Sequence, residues 1–201
     1  MDVIIVLTII IFSSSWNKSI AAFSYMHNYN IDNSEDVQVV NYTNKKIYLT
    51  KDDIYLMAQI VQAESESEPF EGKIAVASVI LNRTIAPGFP KTVESVIRQK
   101  NAFSCLNKNG SISKIPDQTS FQAVEEALKG KDPTNNALYF YNPKISTCNW
   151  MKNVSKNNKK IIGNHVFLKL IKKFKYFIYY KKSKGFSAKF KLCAKSYFIY
   201  L

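Results

Sequence analysis

Apolar residues recur at helical spacing through Ile54, Met57, Ala58 and Val61, one stripe on an otherwise polar segment. Thr50 stands before it as an N-cap, with Asp53 three residues on in the manner of a capping box. The next segment is of another kind: Lys73–Arg83 is apolar nearly all round, which predicts a helix in the middle of a core. Ala86-Pro-Gly-Phe-Pro90 is turn chemistry that closes it. Thr92 then caps a short helix through Val93, Val96 and Ile97. Residues 103–115 read as a polar loop or hairpin turning at Asn109-Gly110. Asp117 or Thr119 starts a further helix through Ala123, Val124, Ala127 and Leu128, stopped by Gly130. Late in the chain, residues 137–141 and 161–167 are rich in β-formers and read as strands. Helices first and a small antiparallel sheet afterwards predict an α+β, mainly helical domain over residues 50–168.

The flanks have a different texture. Residues 3–12 are an apolar run of signal-peptide length, followed by small residues at Ala21 and Ala22. The run is short for a membrane span, and Asp2 is acidic where a signal peptide carries Lys or Arg. Residues 1–22 are therefore read as a signal peptide or an uncleaved N-terminal anchor, and the chain as exported. Residues 23–49, rich in Asn, Ser, Asp and Tyr, read as a linker with one short strand at 36–40. Beyond Leu168 ten lysines and ten aromatics alternate with no acid in residues 169–201.

That tail accounts for most of the charge. Of the net +13, its lysines carry ten, leaving +3 for the rest. The domain itself is thus poorly suited to nucleic acid, whereas the tail suits an anionic membrane or wall polymer. Cys105, Cys148 and Cys193 form no C-x-x-C pair, and only His27 and His165 are histidines, so no metal or cofactor motif is visible.

Four glutamates, Glu64, Glu66, Glu68 and Glu71, crowd between the stripe of the first helix and the buried second one. Charge clusters between helices are usually solvated, and Glu68 and Glu71 suit a helix start. Glu64, on the flank of an apolar stripe, is the better candidate for a functional acid. Aromatics at 139 and 141, alternate positions of a strand, are more often core than sugar platforms. Asn82 and Arg83 are read as fixing the buried helix.

Several pieces, taken in order, resemble one family. They are Ala63-Glu64-x-x-x-Glu68-Pro-Phe-Glu71-Gly72, Val79-Ile-Leu-Asn-Arg83, Pro87-Gly-Phe-Pro90, Asn101-Ala-Phe-Ser104, Asp132-Pro-Thr134, Tyr139-Phe-Tyr-Asn-Pro143, Trp150 and Ile162-Gly-Asn-His-Val-Phe167. This ordered set resembles the spore cortex-lytic cell-wall hydrolases of the SleB/CwlJ type. The resemblance implies a lysozyme-like fold, a peptidoglycan substrate and a part in degrading the spore cortex at germination. It implies Glu64 as the catalytic acid and maps Glu68 onto the second carboxylate, either a supporting catalytic group or a helix-start residue. Tyr139, Tyr141, Trp150 and His165 become candidate substrate-binding residues. Two departures stand out: an Arg-like position is Glu66, and two customary glycines are Ala63 and Ser67.

Three activities remain open on these residues. A lytic transglycosylase needs one carboxyl group, acting as acid and then base. A hydrolytic muramidase would prefer a second carboxylate, Glu71 or Asp117. A muramoyl-alanine amidase would want a zinc site, for which His165 alone is a poor supply. A non-catalytic wall-binding or spore structural protein is the reading from another class. Beyond cortex glycan, an accessory protein is compatible with all of them.

Overall fold

The computed structural model describes residues 37–100, 102–107, 109–146 and 159–169. The apolar run at 3–12, His27, Cys148, Trp150, Cys193 and the tail beyond Lys169 lie outside the described residues.

Helix α1 spans Lys51–Ser65. Thr50 Oγ1 accepts from the Asp53 N–H, and Asp53 accepts from the Thr50 N–H, so the capping box is complete. A box of this kind satisfies two otherwise orphaned N–H groups and stabilises the helix by about 1 kcal/mol. Helix α2, Phe70–Ile85, is the centre of the molecule: every residue from Gly72 to Thr84 is buried. Its apolar circumference is met from several sides, by α1, by the short helix α3 (Val93–Ile97) and by α4 (Gln118–Leu128). Asp117 is the N-cap of α4, accepting from the Ser120 N–H. Gly130 follows at positive φ as the stop signal.

Two antiparallel sheets complete the fold. Strands β1 (Gln38–Tyr42) and β2 (Lys45–Leu49) form a hairpin that presses Tyr42, Ile47 and Leu49 into the main core. Residues 38–49, read from sequence as linker with one short strand at 36–40, are therefore packed into the core, and that strand overlaps β1. The signal was weak because the turn places Thr43 and Asn44 at positive φ, where a β-branched residue is uncommon. The Tyr42 hydroxyl, pushed up in pKa mainly by burial, donates to Asn82 Oδ1 at 3.0 Å. Asn82 in turn donates to Asp132 and to the Ala137 carbonyl, so one buried amide joins the hairpin, α2 and the loop before the second sheet.

The second sheet has the order β3-β5-β4, with β3 Tyr139–Tyr141, β4 Lys159–Ile162 and β5 His165–Leu168. Residues 161–167, read as one strand, are two strands folded back on each other. The two-residue turn Gly163-Asn164 leaves Ile162 opposite His165. Gly163 lies at φ +57°, a conformation that glycine adopts at little cost.

Candidate active site

The α1–α2 junction is where the acidic stretch falls, and each of its carboxylates has a different fate. Glu64, in the last turn of α1, is half-buried. Ser104 Oγ donates to both its oxygens, at 3.0 and 3.2 Å, and the Cys105 N–H donates to Oε1 at 3.0 Å. Two donors from a loop some forty residues downstream thus fix the plane and direction of the carboxylate. The Cys105 thiol is pushed up to about 12, first by burial and then by the negative charge of Glu64 and a hydrogen bond to it.

Glu66 is exposed and bound by Lys114, Nζ to Oε2 2.6 Å. Its negative charge is therefore paired by a lysine from another segment. Glu71 is exposed in the first turn of α2. Asp117 is occupied as a cap and bonded to Thr119 and Ser120, with Lys73 Nζ at 3.5 Å. Burial works to raise the Asp117 carboxyl, but the hydroxyls of Ser120 and Thr119, the Ser120 N–H and Lys73 together hold it below the ordinary range.

Glu68 has a side chain only 7% exposed. Its Oε2 accepts from the Asn164 N–H at 2.8 Å and its Oε1 from Asn164 Nδ2 at 3.2 Å. Lys144 Nζ donates to Asn164 Oδ1 at 2.9 Å, which turns the amide so that its NH2 faces Glu68. His165 Nδ1 is buried 4.0 Å from Glu68 Oε1 and has no hydrogen-bond partner among the described residues. The imidazole packs edge-on to Phe140 and Phe167, with centroids at 5.3 and 6.1 Å. Burial pulls its pKa below the ordinary 6.5, partly opposed by Glu68 and then Glu64. The two glutamates and the histidine thus share one electrostatic environment.

Sheet alternation separates the remaining candidates. Tyr139 pairs with Leu168 and Tyr141 with Val166, so these four side chains share one face, and Phe140, Phe167 and His165 take the other. Tyr139 and Tyr141 are 8% and 9% exposed, packed with Val166, Leu168, Phe89 and Leu138. Among the described residues their rings are largely covered by these neighbours, as the reading of alternate strand aromatics as core has it. Trp150 lies outside the described residues. Arg83 is buried, its Nε donating to the Leu138 carbonyl and its guanidinium lying 5.1–5.9 Å from the rings of Phe103, Phe89 and Tyr139. That is the structural role read for it. Sequence reasoning brought out Glu64, Glu68 and His165 but gave no role to Ser104, Cys105 or Asn164. The only signal for Ser104 and Asn164 was membership of the ordered motif set, since a serine or asparagine in a loop carries no periodicity; Cys105 stood just outside that set.

A mainly helical domain with small antiparallel sheets, and a glutamate fixed at the end of a helix that packs on a buried central one, defines the lysozyme-like class. Within it, the chain belongs to the cell wall hydrolase family, whose sequence profile matches residues 67–168. Glu68 falls inside the matched span and Glu64 just before it. The chain is 42% identical over 127 residues to a spore cortex-lytic enzyme of Bacillus cereus, covering 63% of this chain and 48% of that one. It is 40% identical over 133 residues to the spore cortex-lytic enzyme of Halalkalibacterium halodurans, covering 66% and 39%. The chain thus spans about half, or less, of the length of these curated relatives. Two solved structures are similar. The catalytic domain of the Bacillus cereus SleB protein aligns with a TM-score of 0.54 at 43% identity, over 64% of this chain and 96% of that one. The catalytic domain of the germination-specific lytic transglycosylase SleB from Bacillus anthracis aligns at 0.55 and 42%, over 60% and 97%.

Proposed function

We propose that this domain is a peptidoglycan-degrading glycosidase of the spore cortex, acting at germination, and that it is a lytic transglycosylase with Glu64 as its acid and base. The observation that carries the reading is the fixed Glu64 carboxylate, held by Ser104 and the Cys105 N–H at the end of α1. The cortex and germination come from the names of the relatives, and transglycosylation from the name of the Bacillus anthracis structure.

In the first step Glu64 gives its proton to the glycosidic oxygen after N-acetylmuramic acid. The C1–O bond breaks with its electron pair going to that oxygen, and C1 takes on oxocarbenium character. The 6-hydroxyl of the same muramic sugar then attacks C1 and its proton returns to Glu64. The products are a 1,6-anhydro end and a free hydroxyl on the departing sugar. No water is consumed and no second carboxylate is needed, in keeping with Asp117 being committed to Lys73 and the α4 cap. Export through the apolar N-terminal run, and contact of the lysine–aromatic tail with anionic membrane or wall polymer, complete the proposal.

Glu64→Gln on purified cortex peptidoglycan tests it. The variant should lose on the order of 10²–10⁴-fold in turnover while remaining folded. Solubilisation of cortex at the parental rate would refute the role of Glu64. Mass spectrometry of the parental products should find anhydro-muramic ends; reducing ends would assign hydrolysis instead.

A further inference from the structure

Glu68 is an acid next to the candidate catalytic acid, and a second carboxylate in such a place invites a role in proton transfer. Its surroundings point elsewhere. Both oxygens are engaged by one residue, Asn164, 96 positions away. The fit is steric as well as polar. A Cβ built on Gly163 would collide with Glu68 Oε2 and lie 2.8 Å from Pro69 Cδ. On the other side, a Cβ on Gly72 would stand 3.1 Å from Glu68 Cβ. The side chain is thus enclosed between the first turn of α2 and the β4–β5 turn, and Lys144 fixes the amide that binds it. The next residue after that turn is His165.

We propose that Glu68 is a positioning residue, an anchor that clamps the Gly163-Asn164 turn onto the start of α2 and so fixes buried His165 against the α1–α2 junction that carries Glu64. The proposal rests on the glycosidase reading for its activity arm, and on the geometry of the turn alone for its spectroscopic arm. An anchor works by accepting hydrogen bonds. Glutamine keeps an acceptor for the Asn164 N–H; alanine keeps none. A proton carrier has no such tolerance, because an amide cannot cycle a proton.

The experiment compares Glu68→Gln, Glu68→Ala, Gly163→Ala and Glu64→Gln in the full chain on cortex peptidoglycan, with His165 followed by NMR titration in each. Glu68→Gln should stay within about tenfold of the parental kcat, while Glu64→Gln falls by about 10²-fold or more. Glu68→Ala and Gly163→Ala should fall further than Glu68→Gln and resemble each other, since each opens the same clamp. In Glu68→Gln the His165 pKa should drop below its parental value, because a neighbouring negative charge is gone. Glu68→Gln as inactive as Glu64→Gln would overturn the proposal by making Glu68 a proton carrier. Parental rates in Glu68→Ala and Gly163→Ala would overturn it by making the clamp dispensable. An unchanged His165 titration in every Glu68 and Gly163 variant would overturn it whether or not those variants fold less stably. Full activity in Glu64→Gln sinks the glycosidase assignment instead, and leaves the titration to decide the clamp.

Discussion

At the scale of single residues, what separates one glutamate of the acidic stretch from the next is the donor each one meets. Glu66 meets a lysine, Glu68 an asparagine and its backbone, Glu64 a serine hydroxyl and a backbone N–H. Only Glu64 combines partial exposure with an orientation imposed by neutral groups, which is what a group must have to reach a substrate oxygen in a defined direction. Ser104→Ala removes the donor that touches both of its oxygens and leaves the Cys105 N–H in place. A hydrogen bond to a charged group is worth about 1.5–3 kcal/mol, so kcat should fall by roughly 10–100-fold. Steady-state kinetics on soluble glycan fragments check this, with KM little changed if Ser104 orients Glu64 and does not bind sugar. The side chain of Ser104 was visible in the sequence; its partner was not, because the pair is separated by forty positions.

At the scale of elements, helices were legible and hairpins were not. The capping box at Thr50, a cap at Asp117 or Thr119 and the all-round apolar α2 are local patterns; the structure carries the first and the last where the spacing placed them and takes Asp117 as the cap. Both hairpins turn on residues whose conformation is set by neighbours: Thr43-Asn44 at positive φ, and Gly163 under Glu68. The first hairpin has a consequence for where the domain begins. Tyr42, Ile47 and Leu49 are at most 4% exposed. Burying three such side chains contributes about 5–9 kcal/mol as an upper estimate, comparable to the whole stability of a typical domain. A fragment beginning at residue 50 should therefore lack a cooperative unfolding transition in urea, whereas one beginning at residue 37 should show one. Circular dichroism of the two fragments decides it.

At the scale of the whole molecule, two titratable groups where elements meet, buried His165 and partly exposed Asp117, set how stability responds to acid. Burial keeps the His165 pKa below 6.5, so the unfolded chain takes up a proton there before the folded chain does. Stability from His165 is full above the unfolded value and is lost as pH falls through the folded one. Asp117 also has a depressed value, below 3.8, so its contribution is present at neutral pH and is lost only at lower pH still. Acid should therefore weaken the protein in two stages, the first below about pH 6.5. Urea melts from pH 7.5 to 3 should show both stages in the parent, and His165→Gln should flatten the first while leaving the second.

Sequence by itself determined the helices, their caps, the central position of α2 and, through an ordered series of short motifs, the family and its two glutamates. Those features are written in spacing over a few residues, where periodicity and capping act. The tertiary structure alone decided that residues 38–49 belong to the core, that 161–167 turns back on itself, that Tyr139 and Tyr141 face away from the glutamates, and which donor holds which carboxylate. Apart from the local β4–β5 turn, these depend on contacts between separate segments, from the β3–β5 pairing to side-chain bonds 40 to 96 positions apart. The spacing of residues along a chain encodes which face of an element is apolar. Which distant loop comes to rest against a given carboxylate is settled only when the elements pack.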